Sequence, residues 1–197
     1  MTVIRSATVQ DIPGVYRVCL QTGDSGGDAT GLYRNPDLLG HVYVGPYLVG
    51  QPAHAFVAAD AQGIAGYTFA AADTRAFEAW AEAEWWPPLR EQYPLTEGSS
   101  PDDEVTRLLH APETAPDEVV AEYAAHLHID LLPRIQGQGL GRGLIDRVLG
   151  SLEALGVRGA HLGVAEDNEN ATRFYRHLGF EELAMRPGVR YLGMRLA

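Results

Sequence analysis

Residues 133–143 read PRIQGQGLGRG, a glycine-dense turn that follows an apolar, strand-like run and leads directly into a helical pattern. Glycine allows backbone angles that other residues avoid and lets a ligand approach the main chain closely. The free N–H groups at the start of a helix carry partial positive charge, which suits phosphate. The turn is therefore predicted to bind an anionic group through its backbone amides.

The length and composition predict a single domain, residues 1–197, in which residues 20–52 and 93–118 are loop-rich insertions. Apolar residues make up 46% of the chain, but no window has the length of an uncharged membrane span, and the first eleven residues lack the pattern of a signal peptide. We therefore expect a cytoplasmic protein with no membrane partner. The single cysteine, Cys19, excludes an intramolecular disulfide and is expected in the core.

The net charge of −11 is unevenly distributed along the chain. Residues 1–131 hold nineteen acidic and six basic residues, whereas residues 132–197 hold seven acidic and nine basic residues. An acidic first part repels nucleic acid and attracts amine ligands, while the second part tolerates a phosphate-bearing ligand; solubility is the alternative reason for the acidic excess. Every basic residue is arginine, which excludes a lysine Schiff base and a phosphate-loop lysine.

Hydrophobic periodicity predicts strands that alternate with helices, and therefore a mixed α/β (α+β) sheet. The predicted strands are 2–7, 54–59, 64–72, 122–132, 160–164, 180–183 and 190–196. A first helix, carrying Val15, Val18 and Cys19, is predicted after residues 8–11. Residues 74–92 have helical composition, and the helix there is predicted to stop at Pro87 and Pro88. Further helices are predicted for 140–155 and 168–178, with a helical piece starting at Pro101. Residues 23–51 are interpreted as loops around a short helix, with Gly45-Pro46 as a turn.

The motif order over residues 123–184 resembles the GNAT acetyltransferase superfamily. Its pyrophosphate motif, Gln-x-x-Gly-x-Gly, is matched by Gln136, Gly139 and Gly141. Its second motif is matched by Asn168, Ala171, Phe174, Tyr175, Gly179 and Phe180. A lone glycine turn would be weak evidence, but the two motifs at this separation are specific. The resemblance implies the GNAT acyl-CoA acyltransferase fold, with about seven strands flanked by helices.

A narrower resemblance is to the acetyltransferase-like domain at the C-terminus of O-GlcNAc-removing glycosidases (O-GlcNAcases) and to its free-standing bacterial relatives. The segments that carry it are Asn35–Gly40, Val44–Tyr47, Gly63–Tyr67, Asp73, His128–Asp130 and Phe174-Tyr175. In the animal members the glycine turn is degraded, whereas this sequence keeps it whole. That difference favours a competent acetyl-CoA site.

The resemblance implies acetyl-CoA as the acyl donor. Its pyrophosphate is expected on the amides of residues 137–143, and its pantetheine arm on the backbone of Leu131 and Leu132, where the fourth and fifth strands splay apart. Arg134 and Arg173 are weaker candidates than Arg142 for added charge on the phosphates. The cofactor-binding residues predicted in this way are Leu131, Leu132, Gln136, Gly137, Gln138, Gly139, Leu140, Gly141, Arg142, Gly143, Asn168, Phe174 and Tyr175.

Tyr175 is the candidate general acid, since it matches the position from which family members place a phenol near the thioester sulfur. A hydroxyl with an ordinary pKa of about 10 can donate its proton to a developing thiolate. The alternative is that Tyr175 serves only to pack the core.

Three polar side chains, His126, His128 and Asp130, fall on one face of the predicted fourth strand because side chains alternate with a period of two. Asp130 is the candidate base or substrate anchor, with a pKa raised by burial, and His128 is the second candidate; structural roles are the alternative. Further substrate-binding candidates are Asp73 and the tryptophans Trp80, Trp85 and Trp86, which could line an acidic, aromatic pocket for a cation, although core packing is the alternative role for the tryptophans. Tyr47 is a weaker candidate of the same type. No metal site is predicted, because no His-x-x-x-His pattern or Cys/His cluster is present.

These residues favour an acetyl-CoA-dependent N-acetyltransferase in which an amine attacks directly in a ternary complex. A non-catalytic acetyl-CoA or partner-binding module is the alternative, and an O-linked or sugar-amine acceptor is a third hypothesis. The expected partner is a small-molecule or peptide amine, with no nucleic acid. The oligomeric state stays open, and a homodimer is compatible with the sequence.

Overall fold

The computed structural model describes all residues from 1 to 197 and is organised around one seven-stranded mixed sheet. The strands are β1 Val3–Ser6, β2 Ala55–Asp60, β3 Gly63–Ala71, β4 Ala125–Leu131, β5 Gly159–Ala165, β6 Glu181–Arg186 and β7 Val189–Arg195. Their order in the sheet is β1-β2-β3-β4-β5-β7-β6. The predicted fold class is confirmed, since strands and helices alternate along the chain and the helices flank the sheet.

Nine α-helices accompany this sheet. They are α1 Ile12–Thr22, α2 Leu38–Tyr43, α3 Gly45–Gly50, α4 Thr74–Trp80, α5 Trp86–Gln92, α6 Pro101–His110, α7 Asp117–Glu122, α8 Leu140–Glu153 and α9 Glu169–Leu178. Helix α1 packs on β3 and β4, and α8 packs across β2, β3 and β4. None of these helices combines the length and the apolar character that crossing a bilayer would require.

The centre of the sheet contains its only parallel pair, β4 and β5. This pair is held only by Ala125 opposite Ala160 and His126 opposite His161. On its other side β4 stays paired with β3 from His126 to Leu131. The two strands therefore diverge after their first two residues, as the resemblance implied, and one edge of β4 is left without a neighbouring strand.

The segment 74–92 differs from its prediction. Pro87 and Pro88 were expected to stop a helix, but they occupy the first turn of α5. A prolyl nitrogen is tolerated there because the first N–H groups of a helix have no partner inside the helix. A π-helical stretch, Ala81–Trp85, joins α4 to α5, so helical structure runs through to Gln92.

Two further expectations are wrong in the regions predicted as loops. Gly45-Pro46 is not a turn but the start of α3, again with proline in the first helical turn. Residues 117–122 form α7, so β4 begins at Ala125 rather than at residue 122. The predicted helix start at Pro101 is confirmed, since Ser100 caps α6 by accepting a hydrogen bond of 3.3 Å from the amide of Asp103.

The helix that follows the glycine turn is anchored by fully buried leucines, and a matched pair of substitutions tests this anchoring. Leu144→Ala removes a side chain with no solvent exposure and should lower the free energy of unfolding by about 2–5 kcal/mol. Leu155→Ala removes a side chain that is 64% exposed and should change it by about 0.5 kcal/mol or less. Chemical denaturation of both variants measures the difference. Equal losses would contradict this packing.

Candidate functional site

The glycine turn takes a backbone path that requires glycine at two positions. Gly137 and Gly139 have φ angles of +71° and +77°, in the left-handed region that other residues rarely adopt. A Cβ atom at either position would meet no atom within 4 Å, so the space above the turn is open. A Cβ on Gly141 would lie 3.1 Å from Cζ of Phe174, so this glycine lets α8 and α9 approach each other.

The amides of residues 137–142 donate to no acceptor in the protein, and the first hydrogen bond of α8 runs from Gly143 N–H to the carbonyl of Gly139 at 3.1 Å. Unpaired amides at a helix start form a ready site for an anion. Arg142 is exposed and makes no ion pair or side-chain hydrogen bond, so its charge is available beside these amides.

Other candidates around the turn are already engaged with the protein. Arg134 Nε donates to Oδ2 of Asp60 at 2.8 Å, which ties its charge to β2. Gln138 Nε2 donates to the carbonyl of Arg134 at 2.9 Å, and Arg173 donates to the side chain of Asn170. These contacts hold the turn in place. Arg142 is the one predicted phosphate-binding arginine without a partner.

The open edge of β4 presents backbone groups at Ile129 and Leu131. Strand alternation turns their N–H and C=O groups away from β3, toward the gap left by β5. The carbonyl of Leu131 accepts a hydrogen bond of 2.8 Å from Gln136 Nε2. Leu132 does not belong to this edge, contrary to the prediction, because its N–H donates to Ala65 and its carbonyl accepts from Ile135. Sequence reasoning named Leu132 and missed Ile129.

A cavity of about 1000 Å³ lies beside this edge and brings together several predicted residues from separate parts of the chain. Its lining includes the predicted residues Tyr47, His128, Asp130, Asn168 and Tyr175. Asn168 also caps α9, since its side-chain oxygen accepts from the amide of Ala171 at 3.0 Å. The cavity therefore joins one face of β4 to the start and the inner face of α9.

Asp130 lies on the floor of this cavity and accepts a hydrogen bond from the hydroxyl of Tyr67. Burial raises the pKa of Asp130 to about 6, although the hydrogen bonds from Tyr67 and Thr22 act in the opposite direction. Just above this pH the carboxylate is ionised and still basic enough to take up a proton. A carboxyl group in this state has the property of a general base.

Tyr175 is buried, with 7% of its surface exposed, and its hydroxyl makes no hydrogen bond with the protein. Its ring packs edge-on against Phe174 and Phe180. Burial, and secondly the nearby charge of Asp130, raise the pKa of the phenol above its ordinary value. The hydroxyl is therefore protonated at neutral pH and free to donate to a group inside the cavity.

Tyr47 connects two histidines in the lining of the cavity. Its hydroxyl lies 2.7 Å from Nε2 of His126 and 2.9 Å from Nε2 of His128. Burial lowers the pKa of both imidazoles, that of His128 to about 4, so both are neutral at neutral pH. The role of His126 and of the adjacent Thr74 was not predicted, because their contact joins residues that are 52 positions apart in the sequence.

One part of the cavity lining is acidic and aromatic. Four glutamates line it, of which Glu78 pairs with Arg75 and Glu82 with Arg90. Glu104 and Glu113 have no ion-pair partner. The aromatic lining here consists of Tyr33, Tyr43, Phe77, Trp86 and Tyr191. Such a wall attracts a cation.

Three predicted substrate-binding residues, Asp73, Trp80 and Trp85, do not line the cavity. Asp73 is exposed and caps α4, where it accepts a hydrogen bond of 2.9 Å from the amide of Ala76. The indole N–H of Trp85 donates to the carbonyl of His41 at 2.9 Å, and its ring stacks on Trp80. The π-helical stretch turns Trp86, rather than Trp85, toward the cavity. Their positions do not support the predicted role for Asp73, Trp80 and Trp85.

Comparison with known proteins places these features in a family. The model of the acetyltransferase (GNAT) family matches residues 47–180. The chain is 28% identical to Protein O-GlcNAcase of Rattus norvegicus over 191 residues. The match covers 94% of this chain but only 20% of that protein, so the chain spans about a fifth of this relative. It is 38% identical over 69 residues to [Ribosomal protein bS18]-alanine N-acetyltransferase of Escherichia coli K12, covering 35% of this chain and 47% of that protein. The crystal structure of SsHAT superimposes with a TM-score of 0.93 at 38% identity, covering 100% of this chain and 98% of that one.

The hydrogen bond from Tyr67 is expected to hold the pKa of Asp130 below the value that burial alone would give. In Tyr67→Phe the pKa of Asp130 should rise above about 6, because the hydrogen bond favours the ionised carboxylate. Carboxyl-detected NMR titration measures this shift. Tyr123→Phe, outside the cavity, should leave it unchanged. A lower or unaltered pKa in Tyr67→Phe would contradict the assignment.

Proposed function

The chain belongs to the acetyltransferase (GNAT) family, and from that premise we propose that it transfers an acetyl group from acetyl-CoA to an amine by direct attack in a ternary complex. One observation carries the proposal: Asp130 and Tyr175, a base and an acid in opposite protonation states, line the same cavity at the open edge of β4. The acid and base of an acyl transfer need this arrangement.

The residues present fit acetyl-CoA. The unpaired amides of residues 137–142 and the free charge of Arg142 suit its pyrophosphate, and the open space above Gly137 and Gly139 allows close approach. The unpaired N–H and C=O groups of Ile129 and the unpaired N–H group of Leu131 suit the amides of its pantetheine arm, much as an added strand would. When bound, acetyl-CoA supplies an acyl group activated as a thioester.

Asp130 acts first in the proposed reaction. Above a pH of about 6 its carboxylate is ionised and attracts the ammonium form of the acceptor. It then takes one proton from the nitrogen, directly or through water, and leaves a neutral amine with a free lone pair. The proton returns to solvent through the cavity after the reaction.

Tyr175 completes the proton balance. As the N–C bond forms and the C–S bond breaks, its phenol gives a proton to the departing sulfur, and it takes back the second proton that the amine nitrogen loses. The products are an N-acetyl amide and a free thiol. A phenol whose pKa is raised by burial remains protonated until this step requires it.

The acidic and aromatic part of the cavity lining supports one class of acceptor. The unpaired carboxylates of Glu104 and Glu113 and the rings of Tyr43 and Trp86 favour a cationic acceptor, either a small amine or a peptide. A non-catalytic binding module is the second candidate, favoured by the similarity to one fifth of a protein named for a different activity. Turnover separates the two, since a binding module would bind CoA or a partner without releasing thiol.

Arg142 is expected to strengthen CoA binding through the phosphates. Arg142→Ala should weaken CoA affinity about tenfold, because a charge-assisted contact is lost. Arg147→Ala, which removes an exposed arginine further along α8, is the matched control and should change affinity less than about twofold. Isothermal calorimetry with CoA measures both. No detectable binding to the unaltered protein at millimolar CoA would refute the donor site itself.

Tyr175 and Asp130 are expected to affect turnover rather than donor binding. Tyr175→Phe and Asp130→Asn should each lower kcat by about 10²-fold or more, while the Kd for CoA stays within a few-fold. In the unaltered protein kcat/KM should rise with pH through about 6, because the base must be ionised, and Asp130→Asn should lack this limb. Thiol release across a panel of amines provides the readout, with Tyr123→Phe as control. Unchanged turnover in Tyr175→Phe would remove the general acid from this mechanism.

A further inference from the structure

A chain of four hydrogen bonds joins side chains of the cavity lining and ends at His128. It starts at the carbonyl of Ala124, 2.7 Å from Oγ1 of Thr74, and continues from that oxygen to Nδ1 of His126 at 2.8 Å. From Nε2 of His126 it passes through the hydroxyl of Tyr47 to Nε2 of His128. Every group between the two ends makes two contacts, so its protons can be assigned.

The carbonyl end fixes the direction of the chain. A carbonyl oxygen only accepts, so the single proton of Thr74 must lie between Oγ1 and the oxygen of Ala124. Oγ1 then accepts from His126, whose proton must sit on Nδ1. Because His126 is neutral, its Nε2 carries a lone pair.

The same reasoning reaches the other end. Tyr47 has one hydroxyl proton, which it must donate to Nε2 of His126. Its oxygen therefore accepts from His128, which carries its proton on Nε2. The neutral His128 is left with a lone pair on Nδ1, and this nitrogen has no hydrogen-bond partner in the protein.

This free acceptor belongs to the reaction cavity. His128 lines the cavity and is half-buried. Its Nδ1 has no partner and is not among the fully buried polar atoms, so this nitrogen is accessible from the cavity. Asp130 lies two residues along β4, on the same face of the sheet. Tyr175, which is nine-tenths buried and whose hydroxyl has no partner in the protein, lines the same cavity.

We propose that His128 Nδ1 accepts a hydrogen bond from the acceptor nitrogen and thereby selects an amine over a hydroxyl, with Thr74, His126 and Tyr47 as the positioning residues that keep Nδ1 unprotonated. This inference rests on the proposed acetyl transfer and specifies its acceptor. It favours the amine over the O-linked hypothesis, which the sequence left open.

Proton counting explains the selection. A primary ammonium has three N–H groups, so after one proton passes to Asp130 a second N–H can donate to His128 while the lone pair attacks. A hydroxyl has a single proton. It can donate that proton to Asp130 or to His128 but not to both, so one of the two buried acceptors stays unpaired, which is costly.

Thr74→Val and Tyr47→Phe test the positioning chain, and each keeps the volume of the substituted side chain nearly constant. Thr74→Val removes the hydroxyl that fixes the direction, whereas Thr74→Ser retains it. Tyr47→Phe breaks the chain between the two histidines. In long-range ¹H–¹⁵N spectra at neutral pH, His128 should show a protonated Nε2 and an unprotonated Nδ1 in the unaltered protein and in Thr74→Ser. In Thr74→Val and Tyr47→Phe it should show both tautomers.

Kinetics supply the second readout. Thr74→Val and Tyr47→Phe should raise KM for an amine acceptor about 3- to 10-fold, the effect of one weakened hydrogen bond, with the Kd for CoA unchanged. Thr74→Ser should have the same KM as the unaltered protein. The ratio of amine to alcohol acetylation should fall in the same two variants.

The outcomes separate this inference from the proposed function. A proton on Nδ1 of His128 in the unaltered protein, or tautomers and KM unchanged in Thr74→Val and Tyr47→Phe, would overturn the inference while acetyl transfer stands. No turnover with any amine would overturn the proposed function, and the spectra would still report the direction of the chain. Equal rates for amines and alcohols would overturn the selection.

Discussion

The structure depends on the divergence of β4 from β5, which leaves an unpaired backbone edge in the middle of a sheet. Elsewhere in this sheet every strand pairs along most of its length, but β4 and β5 share only two residue pairs. Unpaired backbone groups inside a protein are costly unless water or a ligand satisfies them. The gap is therefore a site that the fold creates, and the cavity and the glycine turn lie at its two sides.

Two parts of the site have opposite electrostatic character. The glycine turn offers unpaired amides and Arg142 to an anion, although the whole chain carries a net charge of −11. The acidic and aromatic part of the cavity lining contributes Glu104 and Glu113 beside aromatic rings. Anionic and cationic groups are thus attracted to different parts of the site.

The floor of the cavity concentrates polar groups that a core would normally avoid. Asp130, His126 and His128 lie on one face of the central strand. Burial raises the pKa of Asp130 and lowers the pKa of both histidines, so it favours the neutral form of each. Tyr67 and Tyr47 satisfy these groups with hydrogen bonds, so the cost is partly offset. Residues that are costly for stability and adjacent to an opening are typical of a reactive site rather than of a packing core.

The sequence by itself determined the succession of the seven strands, the glycine turn before a helix and the placement of Asp130 and His128 on one strand face, because these depend on local periodicity and on glycine. It could not place Pro87 or Gly45-Pro46 correctly, since proline marks both the end and the first turn of a helix. It also could not separate Trp85 from Trp86, because a π-helical stretch shifts which face turns inward. Only the tertiary structure decided that Tyr47, Thr74 and Tyr67 contact the polar face of β4. Those contacts join residues up to 81 positions apart, and no local pattern records such distances.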